Sequence, residues 1–297
     1  MNYVVAVSGG VDSIALLDMV ALDEVQLPDV EQIIVAHFEH GIRDNSDQDA
    51  QFVEERAQHY GYQYEIGHGT LGKNTSEEVA REARYTFLRQ LCKKYKATLV
   101  TAHHRDDVLE TMIINLLRGT SWRGLASLQS SEDIFRPLLD RSKRDLLEYA
   151  KRHNLEWHED STNQDESYLR NYIRLTLIPK LTKAHPEFPE RMLAYNAVIA
   201  ALKPEIQSEI DRLVASARRS STHLACSRYT LIMWPRVVST EYLYAVLTRL
   251  DPHWHPERHH IERSLNFIKT AQNGSMLKVG KSLSIVVGER LAEFKNT

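Results

Sequence analysis

The chain has 297 residues, of which 42% are hydrophobic and 26% are charged, so it can bury the core of one large or two ordinary globular domains. Its formal net charge of −3 excludes a chain that is basic throughout, so contacts with nucleic acid would have to come from local patches. No apolar stretch approaches the roughly 20 residues of a membrane-spanning helix, and we expect neither a signal peptide nor a membrane partner. The two cysteines, Cys92 and Cys226, argue against a Cys-ligated zinc or iron–sulfur site and are typical of a reducing compartment, which predicts a cytoplasmic protein.

The first half of the chain alternates between strand-like and helix-like segments. Strands are predicted at residues 3–7, 32–38, 63–67 and 98–103, and helices at 13–22, 46–60, 76–95 and 106–117. This order predicts right-handed βαβ units and an α/β fold, a Rossmann-like parallel sheet with helices on both faces. In such sheets ligands bind at the carboxyl ends of the strands.

The pattern changes near residues 181–189, where two prolines interrupt a helical segment. We therefore expect a nucleotide-binding domain at 1–185 and a smaller, mainly helical α+β domain at 186–297. In the second domain the sequence predicts a strand at 229–234, a hairpin formed by 276–279 and 283–287, and helices at 190–219, 240–250 and 257–271.

A glycine-rich string, SGGVDS, joins the first predicted strand to the first predicted helix. Glycines allow backbone N–H groups to approach an anion, and a helix N-terminus favours negative charge. Asp12 could hold a Mg²⁺ ion that bridges phosphates, whereas the alternative is an ordinary βα turn with a serine cap. The string has neither the Gly-Lys-Ser/Thr of a Walker loop nor the three-glycine dinucleotide motif. The candidate phosphate-binding residues are Ser8, Gly9, Gly10, Val11, Asp12 and Ser13.

The string TAHHRDDVLET, residues 101–111, is the second candidate for chemistry. Asp106 and Glu110 are four residues apart and share one helix face, where they could bind Mg²⁺ or a substrate ammonium. The alternative is that Asp106 and Asp107 only stabilise the helix N-terminus. His103 is expected at the same edge of the sheet as the glycine-rich string, where we favour a role in the nucleotide site.

Three basic segments are candidates for binding phosphate. Arg84 lies in AREARY, which is either a cationic edge near a triphosphate or RNA, or a solvated helix face. Arg170 and Arg174 share a helix face with Asn171 beside them, which suits RNA phosphate, although pairing with nearby acids is the alternative. The helix predicted at 142–153 has a basic start, which is more easily understood if a polyanion lies there, with a solvated surface as an equal alternative.

Taken in order, these strings resemble the bacterial tRNA(Ile)-lysidine synthetases of the PP-loop ATP pyrophosphatase superfamily. The matching strings are SGGVDS (8–13), HFEHGIR (37–43), AREARY (80–85), TAHHRDDVLET (101–111), RPLL (136–139), EDSTN (159–163) and RNYIR (170–174). The resemblance implies that ATP and Mg²⁺ bind at SGGVDS and that the C2 oxygen of cytidine 34, in the CAU anticodon of tRNA(Ile), becomes adenylated. The ε-amine of L-lysine would then attack C2 and release AMP, forming lysidine.

The resemblance also implies roles for individual residues and partners. The RNA-facing edge would contain Arg170, Asn171 and Arg174, the C-terminal domain would bind tRNA, and a homodimer is one option for the assembly. The catalytic candidates are Asp12, Arg84, His103, Asp106 and Glu110. A tRNA thiolase of the same superfamily, which would need reactive cysteines, and a non-catalytic nucleotide- or RNA-binding protein are the alternatives.

Overall fold

The computed structural model describes residues 1–39, 46–69, 77–159, 164–219, 223–254 and 256–296. The chain divides into two compact units, Met1–Ala200 and Ala201–Thr297. The sequence-based boundary at 185/186 instead coincides with the end of a helix at Ala184. Within the described ranges, none of the helices combines the length and the apolar character that crossing a bilayer requires.

The first unit is built on a five-stranded sheet in which every pairing is parallel. The spatial order is β3-β2-β1-β4-β5. The strands are β1 Asn2–Ala6, β2 Gln32–Glu39, β3 Gln63–His68, β4 Ala97–Val100 and β5 Ile134–Phe135. The predicted α/β fold with a parallel sheet is therefore confirmed.

Apolar residues on both sides of β1 explain why this sheet is covered on both faces. Val5 packs in one core cluster with Leu16 of the following helix, whereas Val4 packs in another with Leu88 and Leu99. Successive strand residues point to opposite faces, so a continuous apolar run requires a helical layer on each side. The helices of this unit are α1 Val11–Ala21, α2 Ser46–His59, α3 Glu77–Tyr95, α4 Arg105–Leu117, α5 Trp122–Leu125, α6 Lys143–Arg152, α7 Leu169–Tyr172, a π-helical turn Ile173–Leu177, α8 Ile178–Ala184 and α9 Phe188–Ala215, which continues into the second unit.

The position of β1 at the centre of the sheet places the candidate site. The chain leaves β1 towards β2 on one side, while β4 pairs with β1 on the other side. The order of connections thus reverses between β1 and β4, and a crevice opens beyond their carboxyl ends at such a point. The segments that follow these two strands are SGGVDS and the start of TAHHRDDVLET.

The second unit has an antiparallel sheet in the order β6-β7-β10-β9-β8, packed against helices. Its core includes Tyr242, Leu243, Ile285 and Phe294. Its elements are β6 Arg218–Arg219, β7 His223–Ser227, α10 Arg228–Met233, α11 Arg236–Leu250, α12 Arg258–Thr270, β8 Met276–Val279, β9 Leu283–Val287 and β10 Leu291–Asn296. The predicted hairpin of residues 276–279 and 283–287 is confirmed.

The strand predicted at 229–234 is wrong, because this segment forms α10. The Ser227 side chain accepts a hydrogen bond from the Thr230 backbone N–H at 3.2 Å and so caps a helix there. The burial of this segment is uneven, since Leu231 is 1% exposed but Tyr229 is 69% exposed. The predicted helix at 190–219 also ends earlier, at Ala215.

Candidate functional site

The SGGVDS string forms a tight turn between β1 and α1 that is closed by its own hydroxyl groups. The Ser8 backbone N–H donates to Ser13 Oγ at 3.1 Å, and Ser13 Oγ donates to the Gly10 carbonyl at 2.9 Å. Gly9 has a φ of +89°, a conformation that favours glycine. The first N–H groups of α1 have no intrahelical acceptors, and the helix dipole attracts an anion to them. The turn therefore fits a phosphate group.

Asp12, in the first turn of α1, forms an ion pair with Lys143, the first residue of α6. Lys143 Nζ lies 2.8 Å from both carboxylate oxygens of Asp12. The backbone N–H of Lys143 donates to Asp106 Oδ2 at 2.7 Å. Asp106 therefore joins the start of α4 to the start of α6.

His104 is a buried imidazole that connects Asp12 to the acidic start of α4. Its Nε2 lies 3.7 Å from Asp12 and 3.5 Å from Asp107, and its Nδ1 lies 3.5 Å from Asp106. Burial by itself lowers the pKa of His104, but the three carboxylates outweigh burial and raise the pKa above its ordinary value. The carboxylates therefore favour the protonated form of His104, which lies between the phosphate-binding turn and α4.

Glu110 and Asp107 form a buried acidic pair that faces two arginines. Glu110 is 1% exposed, and Arg174 binds it with two contacts, Nε–Oε1 at 2.6 Å and Nη2–Oε2 at 3.0 Å. Asp107 Oδ1 lies 3.7 Å from Arg170 and 3.6 Å from Arg174. Burial raises the pKa of Glu110 although Arg174 opposes this shift, whereas for Asp107 the neighbouring histidines outweigh burial and lower the pKa.

His103 occupies a different environment from its neighbour His104. Its Nδ1 lies 2.8 Å from Thr101 Oγ1. Burial lowers the pKa of His103 to about 3, and the positive charges of Arg136, Arg81 and Arg84 add to this effect while Asp107 opposes it. His103 is therefore a neutral imidazole at physiological pH. The Arg84 guanidinium lies 5.6 Å from the centre of the Tyr85 ring.

The structure brings several of the predicted site residues together, but their hydrogen-bond partners differ from those that helical spacing predicted. Asp106 and Glu110 share a helix, yet Asp106 bonds to the Lys143 backbone while Glu110 bonds to Arg174. The Asn171 side-chain amide donates to the Asp165 backbone carbonyl at 2.9 Å, so this donor is used in a hydrogen bond inside the protein. The roles predicted for these side chains in lysine and RNA binding stay predictions. Residues 40–43 of HFEHGIR and 160–163 of EDSTN lie outside the described residues.

Three charged residues of the site were not assigned a role from the sequence: His104, Asp107 and Lys143. Asp107 was interpreted as an alternative helix cap, and it does accept a hydrogen bond from the His104 backbone N–H at 3.0 Å. From the sequence, Lys143 is part of the basic start of the helix at 142–153, for which a bound polyanion and a solvated surface are equal alternatives. The doublets His103-His104 and Asp106-Asp107 were the available signal, but spacing alone does not tell which member of a doublet points inward.

The residues present fit both groups that the resemblance implies. A nucleotide phosphate fits the turn and the start of α1, as described above. Protein-bound Mg²⁺ commonly uses one or two carboxylates together with substrate phosphates and waters. Asp12 supplies one such carboxylate, with 28% of its side chain exposed. A metal ion there would compete with Lys143 for the carboxylate oxygens.

Comparison with curated proteins returns several tRNA(Ile)-lysidine synthases. The protein from Thermotoga maritima is 33% identical over 221 residues, covering 72% of this chain and 53% of that protein. The protein from Enterococcus faecalis is 33% identical over 227 residues, covering 73% and 48%. The protein from Anaplasma marginale is 39% identical over 184 residues, covering 58% and 39%. The chain thus spans about half the length of the first two relatives.

Among solved structures, the U34-tRNA thiolase NcsA from Methanococcus maripaludis with its [4Fe-4S] cluster is similar in fold. The TM-score is 0.55 at 21% identity, covering 67% of this chain and 72% of that chain. The PP-loop domain model matches residues 1–181, the range that contains the glycine-rich turn, the acidic pair and both arginines. The resemblance inferred from the motifs is confirmed, and the chain belongs to the PP-loop domain family.

Proposed function

We propose that this protein is a tRNA(Ile)-lysidine synthase, which uses ATP to attach L-lysine to C2 of cytidine 34 in the CAU anticodon. The observation that carries the proposal is that charged side chains connect the phosphate-binding turn to the buried acidic pair on α4. Asp12 at the phosphate-binding turn and the buried pair Asp107–Glu110 both border the same region, because His104 lies within 3.7 Å of Asp12 and 3.5 Å of Asp107. The names of the similar curated proteins support the same reaction.

The reaction needs both of these sites. The C2 carbonyl oxygen of cytosine is a poor leaving group, so it attacks the α-phosphorus of ATP, and pyrophosphate departs with the electron pair of the broken P–O bond. The ε-amine of lysine then adds to C2, and the oxygen leaves as part of AMP. A bound Mg²⁺ would neutralise phosphate charge beside Asp12.

This chain's own residues are proposed to act as follows. The SGGVDS turn, residues 8–13, orients the phosphates through the start of α1. Asp106, whose side chain is 46% exposed, attracts the lysine ammonium, whereas Glu110 and Asp107 already pair with Arg174 and Arg170. His103, whose pKa burial lowers to about 3, stays neutral and lines the reaction centre as an uncharged hydrogen-bonding group. Arg84, Arg170 and Arg174, with Asn171 beside them, form the edge that faces RNA phosphate.

The thiolase alternative is disfavoured by the state of the two thiols. Burial raises the pKa of Cys92 to about 11 and that of Cys226 to about 12. Both cysteines are therefore protonated near neutral pH, whereas sulfur chemistry and metal ligation need thiolates. Cys92 and Cys226 also belong to different units of the chain.

The decisive experiment combines the protein with ATP, Mg²⁺, labelled L-lysine and unmodified tRNA(Ile) that has a CAU anticodon. We expect lysine incorporation and one AMP per lysine, with tRNA(Met) as the negative control. Absence of incorporation would refute the proposal, and tRNA binding without pyrophosphate release would favour a non-catalytic RNA-binding protein.

Asp12 is the first residue to change in this assay. Asp12→Asn is expected to abolish AMP formation, because the turn loses its carboxylate. The control is Asp23→Asn, an exposed site just beyond α1 with a φ of +56° that asparagine tolerates. Full activity of Asp12→Asn would contradict the assignment of the turn.

A further inference from the structure

We propose that His158 is a positioning residue of the phosphate-binding turn. Its backbone N–H holds the carbonyl of Gly9, and its imidazole, fixed by Asp49 and Phe52 of α2, keeps that backbone in place. His158 lies outside the turn in sequence and acts through the shape that it gives to the turn. The inference rests on the proposed function in so far as it takes a nucleoside triphosphate as the ligand.

The carbonyl of Gly9 determines where the next amide of the turn points. The His158 N–H donates to this carbonyl at 3.0 Å. The peptide between Gly9 and Gly10 is planar and trans, so its carbonyl and its N–H point in opposite directions. The Gly10 N–H accordingly points to the other side, where Ser8 Oγ accepts it at 3.4 Å. Holding the Gly9 carbonyl therefore aims an N–H group of the turn, the kind of donor that binds phosphate.

This peptide needs an external contact because glycine does not restrict it. Glycine populates positive and negative φ about equally, so a peptide between two glycines rotates at low cost. Ser13 engages the Ser8 N–H and the Gly10 carbonyl, which lie on either side of this peptide. His158 supplies the hydrogen bond to the carbonyl between them. The turn is thus held from within by Ser13 and from outside by His158.

The backbone of His158 depends on its side chain, because residues 155–159 lie outside helices and strands. The imidazole Nδ1 lies 2.5 Å from Asp49 Oδ1. The imidazole also stacks on Phe52, with ring centres 4.4 Å apart and ring planes 22° apart. Asp49 and Phe52 are three residues apart on α2 and therefore share a helix face. Two contacts with one helix fix both the plane and the rotation of the imidazole.

Phe52 connects this arrangement to the hydrophobic core. Phe52 is 9% exposed and belongs to the same core cluster as Val5 of β1 and Leu16 of α1. A Cβ added to Gly9 would lie 3.9 Å from the Phe52 ring, so Phe52 also borders the turn. The turn is therefore held by packing that exists before any phosphate binds. Donors that are oriented in advance need no reorganisation when charge develops on the ligand.

A second contact joins the same two segments and separates positioning from simple attachment. Arg56 Nη2 of α2 lies 3.4 Å from Glu156 Oε2, two residues before His158. The Glu156 side chain is 77% exposed, and an exposed ion pair contributes little stability. If attachment to α2 were all that mattered, removing either contact would have the same effect on nucleotide binding. If His158 positions the Gly9 carbonyl, only the loss of its imidazole weakens binding.

The test measures nucleotide affinity. The probe is the α,β-methylene analogue of ATP with Mg²⁺, titrated by calorimetry into the full chain without tRNA or lysine. His158→Ala removes both imidazole contacts and is expected to weaken binding by about 3- to 10-fold, the range of one aromatic pair. Asp49→Ala should weaken binding by a smaller factor, whereas Asp49→Asn keeps an acceptor oxygen and should remain close to the wild-type affinity. The double variant of His158→Ala and Asp49→Ala should bind as His158→Ala does, because both changes act through one imidazole.

The matched control is Glu156→Gln, which weakens the other contact between this segment and α2. Wild-type affinity in Glu156→Gln together with weaker binding in His158→Ala supports the proposal. Equal affinity of His158→Ala and wild type, or equal losses in His158→Ala and Glu156→Gln, overturns it. Thermal unfolding shows whether each variant is folded, and if His158→Ala does not fold, Asp49→Ala compared with Asp49→Asn decides in the same way.

A kinetic readout separates positioning from a general loss of structure. In the lysine-incorporation assay, the KM for ATP should rise in His158→Ala while the KM for L-lysine stays at the wild-type value, because the turn contacts only the nucleotide in the proposed reaction. An equal rise of both KM values would contradict the proposal.

The outcomes also distinguish this proposal from the proposed function. If the wild-type protein does not bind the analogue, both are wrong. If it binds and His158→Ala binds equally well, only the role of His158 is wrong. If His158→Ala binds more weakly while the wild type incorporates no lysine into tRNA(Ile), the positioning role of His158 stands and the lysidine reaction is refuted.

Discussion

Tyr149 on α6 ties this helix to α1, and its hydroxyl can be removed without leaving a cavity in the core. Tyr149 is 1% exposed, and its hydroxyl donates to Asp18 Oδ2 of α1 at 2.8 Å. Asp18 is 5% exposed and also accepts from Tyr60 at 2.6 Å. Tyr149→Phe therefore removes one of two hydroxyl donors from a buried carboxylate.

The expected cost follows from this geometry. A hydrogen bond to a charged group contributes about 1.5–3 kcal/mol, and Tyr60 continues to satisfy Asp18, so we expect the lower part of this range for Tyr149→Phe. Such a loss lowers the melting temperature by about 3–8 °C in a protein of this size. The free energy of unfolding should be measured by urea titration, with the melting temperature as the second readout.

Tyr60→Phe is the matched control, because it removes the other hydroxyl from the same carboxylate but does not touch α6. Both variants should lose similar stability, whereas only Tyr149→Phe should weaken binding of a non-hydrolysable ATP analogue, since the start of α6 contacts Asp12 of the phosphate-binding turn through Lys143. Unchanged stability of Tyr149→Phe would refute the account of Asp18. Equal nucleotide affinity in the two variants would refute the claim that this contact positions α6.

Gly9, His104 and Glu110 can each be tested by one substitution. Gly9→Ala should lower the free energy of unfolding in urea by about 1–3 kcal/mol through backbone strain at φ +89°. A steric clash does not contribute, because the added Cβ would lie at an ordinary 3.7 Å from Val53. An unchanged unfolding midpoint would contradict this. The pKa of His104 is raised above 6.5 in the folded state, so its contribution to stability is full below pH 6.5 and is lost as the pH rises through the folded pKa. The difference in unfolding free energy between wild type and His104→Gln should therefore be larger at about pH 6 than at about pH 9. A difference that does not change with pH would contradict the raised pKa. Glu110→Gln keeps an acceptor for Arg174 and should cost about 1–2 kcal/mol of unfolding free energy. Glu110→Ala removes the carboxylate that binds Arg174 with two contacts and should cost about 3–5 kcal/mol. Equal melting temperatures of the two variants would argue against the ion pair.

The parts of the fold that depend on local sequence could be predicted. The SGGVDS turn lies within six consecutive residues between an apolar strand and a helix, so the strand, the turn and the helix N-terminus are all visible in one short segment. The alternation of strands and helices likewise determines a parallel sheet, because βαβ units have one hand. At residues 229–234 the predicted strand is wrong, since the cap at Ser227 begins a helix there.

The partners within the site could not be predicted, because they are distant in sequence. Lys143 and Asp12 are 131 residues apart, and Arg174 and Glu110 are 64 residues apart. Helical spacing paired Asp106 with Glu110, but the Lys143 backbone N–H at the start of α6 donates to Asp106 instead. Only the tertiary arrangement decides which carboxylate faces which cation.

The adjacent residues His103 and His104 show how two neighbouring imidazoles can have pKa values shifted in opposite directions by their surroundings. Successive side chains in extended backbone point to opposite sides, and His104 has extended backbone angles of φ −123° and ψ −179°. Burial, with a smaller effect from nearby arginines, therefore lowers the pKa of His103, while three carboxylates raise the pKa of His104 against the effect of burial. In the proposed reaction His103 is therefore an uncharged group of the reaction centre, while His104, whose protonated form the carboxylates favour, lies between Asp12 and Asp107.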